Sequence, residues 1–441
     1  MQLSPAQTDR AAGVLLGQAV GDALGVPYEF GTARFDASTG PQMSGGGLGN
    51  YAPGEWSDDT QMAVCVAEVL ATGAAVDDAA LEAVADGFLR WHADGPADIG
   101  AQTSSVLGRT RRRTHGIPTR TAMVEASRGL HERTGRTAGN GALMRTAVVG
   151  LHRLDDRDAT AGAARAIAEL THWDPLAGDS CVLWSEAVRV AVTEGVLDLR
   201  SGLDLLPAAR RDDWLRRIEE AETREPTSFR DNGFTVTALQ AAWSSTHHTQ
   251  PSEPGPDHVA AALHAAIAIG HDTDTVAAIA GGLLGARYGV SGLPARWTRR
   301  VHGWPGLRSH DLVRLAVLTA RRGVGDAAAY APWSGTRGGA GSELLPEAGR
   351  GEAGPQGEVL DEVAGVGEAE PGGDAGCRVV GVGEEPLGLE DHPSVDELLG
   401  ADADRRDHRS RQGALGVPEA PGVVGDVPVL REALLDRVAE P

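Results

Sequence analysis

Four glycines at intervals of four, Gly13, Gly17, Gly21 and Gly25, run through the apolar stretch RAAGVLLGQAVGDALG. At 3.6 residues per turn this spacing lays them along one ridge of a helix. Each costs about 1 kcal/mol relative to alanine inside a helix, so the ridge makes sense where another backbone or a ligand must come close. Gly281, Gly282 and Gly285 repeat the theme in a second apolar segment, VAAIAGGLLGARYG. Two readings stand: tight helix packing in a core of small side chains, or a central pair of helices that meet and hold a site.

The rest of the chain to about residue 330 reads as helices. Helical spacing recurs over 60–73, 77–92, 160–171, 180–196, 212–222, 235–244 and 258–269, with Gly, Pro, Asp and Asn at the breaks and few alternating runs. An all-α class is expected. The 441 residues are 41% hydrophobic but only 4% aromatic, which suits a sizeable core of small side chains. Beyond about 333 the composition turns to Gly, Pro and Glu, and residues 341–441 carry 23 acidic and 8 basic side chains, a net of -15. Residues 333–441 are expected to be a low-complexity, disordered acidic tail. A frame-shifted translation of GC-rich DNA is the second reading of this segment.

Several function classes are excluded or disfavoured. All 40 basic residues are Arg, which rules out a Walker-type loop lysine and a Schiff-base lysine. The net charge of -22 argues against general nucleic-acid binding. Cys65, Cys181 and Cys377 are too scattered for a disulfide framework or a zinc cluster. The first residues lack a basic region before their apolar stretch, and no uncharged apolar run reaches the ~18 residues of a membrane span. A cytoplasmic monomer with no membrane partner is expected.

The chemistry concentrates in two short clusters. WSDDTQMAV holds Ser57, Asp58, Asp59 and Thr60, and HDTDTVAAI holds Asp272, Thr273, Asp274 and Thr275. Acids and hydroxyls at a helix start can serve as caps, but one side chain suffices for a cap and the same grammar occurs twice. Asp272 and Asp274 would point about 200° apart inside a regular helix. They converge only where the backbone is still entering the first turn, and a cation would explain both the convergence and the tolerated repulsion. Carboxylate and hydroxyl oxygens suit Mg²⁺ or Mn²⁺, and four carboxylates suffice for two such ions.

Other segments add candidates. In GDALGVPYEF, Glu29 follows a helix end at Gly25 with Pro27 in the turn, and Asp22 is free to cap or to pair with an Arg. TAGNGALMR places Gly139, Asn140 and Gly141 before an expected apolar helix, where free N–H groups could receive an anion such as a diphosphate. ADIGAQT and LTHWDPLA, with His172, complete the set, and the run Arg109–Arg113 reads as a solvated face.

Taken in order, GQAVGDALGVPYEF, WSDDTQMAV, DIGAQT, GNGALMR, LTHWDPLA and GHDTDTVAAIAGGLLGARYG resemble the ADP-ribosylglycohydrolase family over roughly residues 10–290. The resemblance implies a compact orthogonal multi-helix catalytic domain, here 5–330, with a binuclear Mg²⁺ or Mn²⁺ centre. It implies Ser57, Asp58, Asp59, Asp272, Asp274 and Thr275 as metal ligands. Glu29 and Asp59 are the implied catalytic acids, and Gly139, Asn140, Gly141 and His172 the substrate-binding residues. The substrate would be an ADP-ribosylated protein, arginine-linked first, or a small ADP-ribose conjugate. A two-metal phosphoester hydrolase and a non-catalytic ADP-ribose binder are the alternatives. DIGAQT departs from the family's usual DIGNTT, which leaves the contacts of Gln102 and Thr103 open.

Overall fold

The computed structural model describes residues 2–113, 116–251, 255 and 257–323. The expected acidic tail lies outside the described residues. Thirteen α-helices are present among the described residues: α1 (Pro5–Gly25), α2 (Asp58–Leu70), α3 (Asp78–Ala93), α4 (Ala101–Arg113), α5 (Thr119–Thr134), α6 (Arg157–Glu169), α7 (Pro175–Glu194), α8 (Ala208–Thr223), α9 (Thr235–His248), α10 (Asp257–Ala268), α11 (Thr273–Tyr288), α12 (Ala295–Thr298) and α13 (Ser309–Ala320). The only sheet among the described residues is a two-residue antiparallel pair, His302–Gly303 with Leu307–Arg308. No helix among them is long and apolar enough to cross a membrane.

The glycine ridge organises the molecule. α1 starts with a capping box, in which the Gln7 amide donates to Ser4 Oγ and the Ser4 amide to Gln7 Oε1. From Ala11 to Gly25 it is buried all round, as a helix at the centre of a domain must be. α11 is buried from Thr273 to Ala286 and runs along it. A β-carbon on Gly17 would overlap the Gly281 carbonyl, one on Gly21 the Ala277 carbonyl and one on Gly13 the Gly285 carbonyl. Backbone therefore meets backbone over nearly the whole length of the pair. Both readings of the ridge hold together: it is tight packing, and it brings the C-terminus of α1 to the N-terminus of α11.

The other helices wrap this pair. α13 lies along α1, α9 and α10 flank α11, and α6 with α7 closes another side. α2 packs on α3, and α4 on α5. The Arg run falls at the end of α4, with Arg111–Arg113 exposed as expected. The expected helix boundaries agree with the observed ones to within a few residues, with one exception. The segment after Gly141 forms no α-helix but two short 3₁₀ turns, Asn140–Ala142 and Ala147–Leu151. Val148 and Val149 disfavour helix there, and Gly150 is pressed against α7, where an added β-carbon would lie 2.7 Å from the Ser185 carbonyl oxygen.

Candidate metal centre and substrate cavity

Three chain segments converge where α1 meets α11. α1 ends at Gly25 and passes into a 3₁₀ turn, Val26–Gly31, that carries Glu29. The start of α2 brings Ser57–Asp59, and the start of α11 brings Asp272–Thr275. A β-carbon on Gly25 would stand 2.6 Å from the Asp274 backbone nitrogen. Across this contact Thr273 Oγ1 donates to the Gly25 carbonyl at 2.9 Å, and the Phe30 amide donates to the His271 carbonyl at 2.7 Å. Phe30 (φ 45°) and His271 (φ 63°) both occupy the left-handed region, a local strain held by the surrounding packing.

Helix caps show what is special about α2 and α11. Asp77, Asp156 and Asp174 cap α3, α6 and α7 in the ordinary way, each accepting a backbone N–H of its own first turn. Ser57 and Asp272 stand at the same position on α2 and α11, yet neither side chain makes a capping bond. The cap of α2 comes from another helix. Asp22 Oδ1 accepts from the Ser57 amide at 2.8 Å, and Oδ2 from the Thr60 amide at 3.0 Å and its hydroxyl at 2.6 Å. The Ser57 hydroxyl lies 2.8 Å from both Asp22 Oδ1 and Asp59 Oδ2, and its single proton serves one at a time. Asp22 is thus a cap, which resolves the choice left open by the sequence.

Asp272 keeps non-helical dihedrals (φ -84°, ψ 72°), the condition under which residues i and i+2 can face one point. Its Oδ2 accepts from Asn140 Nδ2 at 2.7 Å, and its amide donates to Asn232 Oδ1 at 3.1 Å. Asn232 in turn donates to the Gly270 carbonyl at 3.1 Å and accepts, through its own carbonyl, from Asn140 Nδ2 at 2.8 Å. Asn140, expected at the substrate, therefore orients a carboxylate of the centre. Its amide is not free for an anion either, since it donates to the Gly233 carbonyl at 3.1 Å.

The carboxylates close into two groups. One oxygen each of Asp22, Asp59 and Asp274 lie within 4.8 Å of one another, and so do one each of Glu29, Asp272 and Asp274. Asp274 belongs to both. Glu29 Oε2 and Asp59 Oδ1 are buried with no hydrogen-bond partner among the described residues. Buried polar atoms are normally satisfied, and two orphaned carboxyl oxygens in one cluster fit a cation. Burial, then mutual repulsion, raises the carboxyls of Asp58, Asp59 and Asp274 well above the usual range. Glu29 is pushed up to about 9 by burial and then by Asp98, Asp272, Asp58 and Asp22. Burial lifts Asp22 to about 6 against its four hydrogen bonds. Such a cluster needs positive charge to ionise fully, and its all-oxygen donor set suits a hard divalent ion.

A cavity of about 420 Å³ opens beside the cluster, within the ~300–1,000 Å³ of small-molecule sites. Glu29, Asp58, Gly139, Asn140, Gly141, His172, Asp272, Asp274 and Thr275 line it, whereas Ser57 and Asp59 do not. His271 is exposed and outside it. Asp98, Phe30 and Leu48 also stand on this wall and are not among the residues expected from the sequence, although Asp98 opens the quoted DIGAQT stretch. Gln102 and Thr103 also reach it; Gln102 Nε2 donates to the carbonyls of Thr137 at 3.0 Å and Thr171 at 3.1 Å, tying two cavity loops together. Asn232 carried no signal in the sequence, because its partners are brought together only by the fold.

Fold and site together define an all-α protein with an oxygen-donor, cation-ready carboxylate centre at the meeting of three helix ends, open to a cavity of small-ligand size. Residues 3–327 match the family described as ADP-ribosylglycohydrolase, and the chain belongs to that family. It is similar to the ADP-ribosylarginine hydrolase of Pseudomonas putida, with 31% identity over 311 residues that cover 68% of this chain and 76% of the relative. It is also similar to the ADP-ribosyl-dinitrogen-reductase glycohydrolase of Rhodospirillum rubrum, with 28% identity over 301 residues, 67% of this chain and 92% of the relative. A solved structure titled "ADP-ribosylglycohydrolase-related protein complex" superposes with a TM-score of 0.56 at 29% identity, covering 73% of this chain and all of that one.

Proposed function

We propose that residues 5–330 form a metal-dependent ADP-ribosylhydrolase that cleaves the bond between C1″ of ADP-ribose and a modified side chain, arginine first. The names of the two relatives support this substrate class. The observation that carries the metal dependence is the pair of orphaned buried oxygens, Glu29 Oε2 and Asp59 Oδ1, inside a cluster of repelling carboxylates. Ser57, Asp58, Asp59, Asp272, Asp274 and Thr275 would hold two ions, Mg²⁺ or Mn²⁺. Such ions, when bound, supply charge neutralisation and a water of lowered pKa.

The chain's own residues do the remaining work. Asp22 fixes the start of α2, and Asn140 and Asn232 fix the start of α11, so that the carboxylates face one point. Gly139 and Gly141 leave room beside His172 for the diphosphate. The cation-like sugar carbon of glycoside cleavage is stabilised by negative charge nearby, which Asp58 and Asp98 offer on the cavity wall. Of the two acids expected to carry a proton, Glu29 lines the cavity and Asp59 does not. That placement supports Glu29 as the acid proposed to hold or pass the proton at a substrate atom.

The test is release of free ADP-ribose, followed by chromatography, from an ADP-ribosylated arginine peptide with Mg²⁺ or Mn²⁺. Release that stops on chelation and returns with metal is expected. Release from none of arginine, serine, nucleic-acid or O-acetyl conjugates overturns the proposal, and phosphate without ADP-ribose points to a phosphoester hydrolase.

A further inference from the structure

His172 on the cavity wall ends a buried relay whose other members, Arg145 and Thr171, have no part in the proposed reaction. Arg145 is 1% exposed, Thr171 is fully buried and His172 is 1% exposed. Arg145 donates one guanidinium nitrogen to the Gly141 carbonyl at 2.8 Å and the other to Thr171 Oγ1 at 2.7 Å, while its face lies over the Phe88 ring. Thr171 Oγ1 stands 2.8 Å from His172 Nδ1. The opposite nitrogen, Nε2, faces the glycine loop: a β-carbon on Gly141 would lie 3.2 Å from it and one on Gly139 3.4 Å.

Counting protons decides the direction of the relay. A guanidinium only donates, so Thr171 Oγ1 must accept from Arg145. The hydroxyl's own proton then needs an acceptor, and among the described residues His172 Nδ1 is the one in reach. An unspent hydroxyl proton in a fully buried site would cost about 1–3 kcal/mol. Nδ1 is therefore the acceptor, and a neutral imidazole must carry its hydrogen on Nε2.

We propose that Arg145 and Thr171 are positioning residues that lock His172 as its Nε2–H tautomer, presenting a fixed neutral hydrogen-bond donor to an anionic oxygen seated at Gly139–Gly141. Burial and the nearby Arg145 charge also hold the imidazole well below its usual pKa, so the ring stays neutral while it donates. The identity of the oxygen, a phosphate oxygen of ADP-ribose, rests on the proposed function; the tautomer does not.

The experiment combines ¹⁵N spectroscopy of histidine-labelled, full-length protein at neutral pH with calorimetric binding of ADP-ribose. The His172 signals among the 14 histidines are assigned by their loss in His172→Gln. A pyridine-like Nδ1 and a pyrrole-like Nε2 are expected in the wild type and in Thr171→Ser, which keeps the hydroxyl. Thr171→Val, close in shape but without the hydroxyl, should give a mixture of tautomers and roughly tenfold weaker ADP-ribose binding, the loss of about one hydrogen bond. A protonated Nδ1 in the wild type overturns the lock, with no dependence on whether Thr171→Val folds. An unchanged tautomer or unchanged affinity in folded Thr171→Val overturns the role of Thr171. A wild type that shows the expected tautomer but binds no ADP-ribose upholds the lock and instead overturns the proposed function.

Discussion

Replacing Gly17 by alanine sets the glycine ridge against the ordinary preference of a helix. By propensity alone Gly17→Ala would raise stability by about 1 kcal/mol. Its new β-carbon, however, would overlap the Gly281 carbonyl oxygen and stand 3.1 Å from Gly285 Cα, both of them backbone. Overpacking of this kind costs about 1–3 kcal/mol, and the upper end applies where no flexible side chain can yield. The expected net effect is a loss of about 2 kcal/mol. Because Gly25 touches Asp274 at the end of the same interface, any retreat of α11 also moves Asp274 away from Glu29 and weakens divalent-cation binding. Urea unfolding monitored by circular dichroism, with and without Mn²⁺, reads both effects. Gly162→Ala is the control: Gly162 sits exposed in α6 with nothing within 4 Å of a would-be β-carbon, so alanine there should add about 0.5–1 kcal/mol. A Gly17→Ala protein as stable as wild type, or more so, would refute the backbone-to-backbone account.

Asn140→Ala removes the donor that orients Asp272 and should lower Mn²⁺ affinity by about 10–100-fold, as for other outer-sphere partners of metal ligands, read by calorimetry. Asp274→Asn should release no ADP-ribose with any metal, yet when metal-free at alkaline pH it should unfold at higher urea than wild type, since one repelling charge is gone from a cluster that Asp274 shares on both sides. In chelator, the wild type should lose stability steadily from about pH 5 to pH 9. Asp22 and Glu29 hold protons more tightly folded than unfolded, with pKa values of about 6 against 3.8 and about 9 against 4.5. A folded state that binds more protons is destabilised as pH rises. Saturating Mn²⁺ should flatten that slope in the same urea titrations.

Much of the centre is legible in the sequence. The ridge Gly13–Gly25 and its echo at Gly281–Gly285 pointed to a helix pair in close contact, and the i, i+2 spacing of Asp272 and Asp274 required a non-helical start, which the dihedrals of Asp272 show. What could not be read was whatever depends on partners distant in the chain. Asp22 caps a helix whose N-cap residue, Ser57, lies 35 residues later, and no local pattern distinguishes that from an ordinary helical acid. Asn232 and Asn140 belong to one network across 92 residues. The Gly139–Gly141 segment enters a short 3₁₀ turn and not the apolar helix that the sequence predicts, and the bare Cα atoms of Gly139 and Gly141 face His172.

The central claim is that these helix ends assemble carboxylates to hold divalent cations. Calorimetric titration of chelator-stripped, full-length protein with Mn²⁺ at neutral pH tests it most directly. Two ions bound per chain, with release of protons from the crowded carboxyls and loss of tight binding in Asp274→Asn, is the expected result. A wild type that takes up no Mn²⁺ or Mg²⁺, or an Asp274→Asn protein that binds both ions as tightly as wild type, would contradict it.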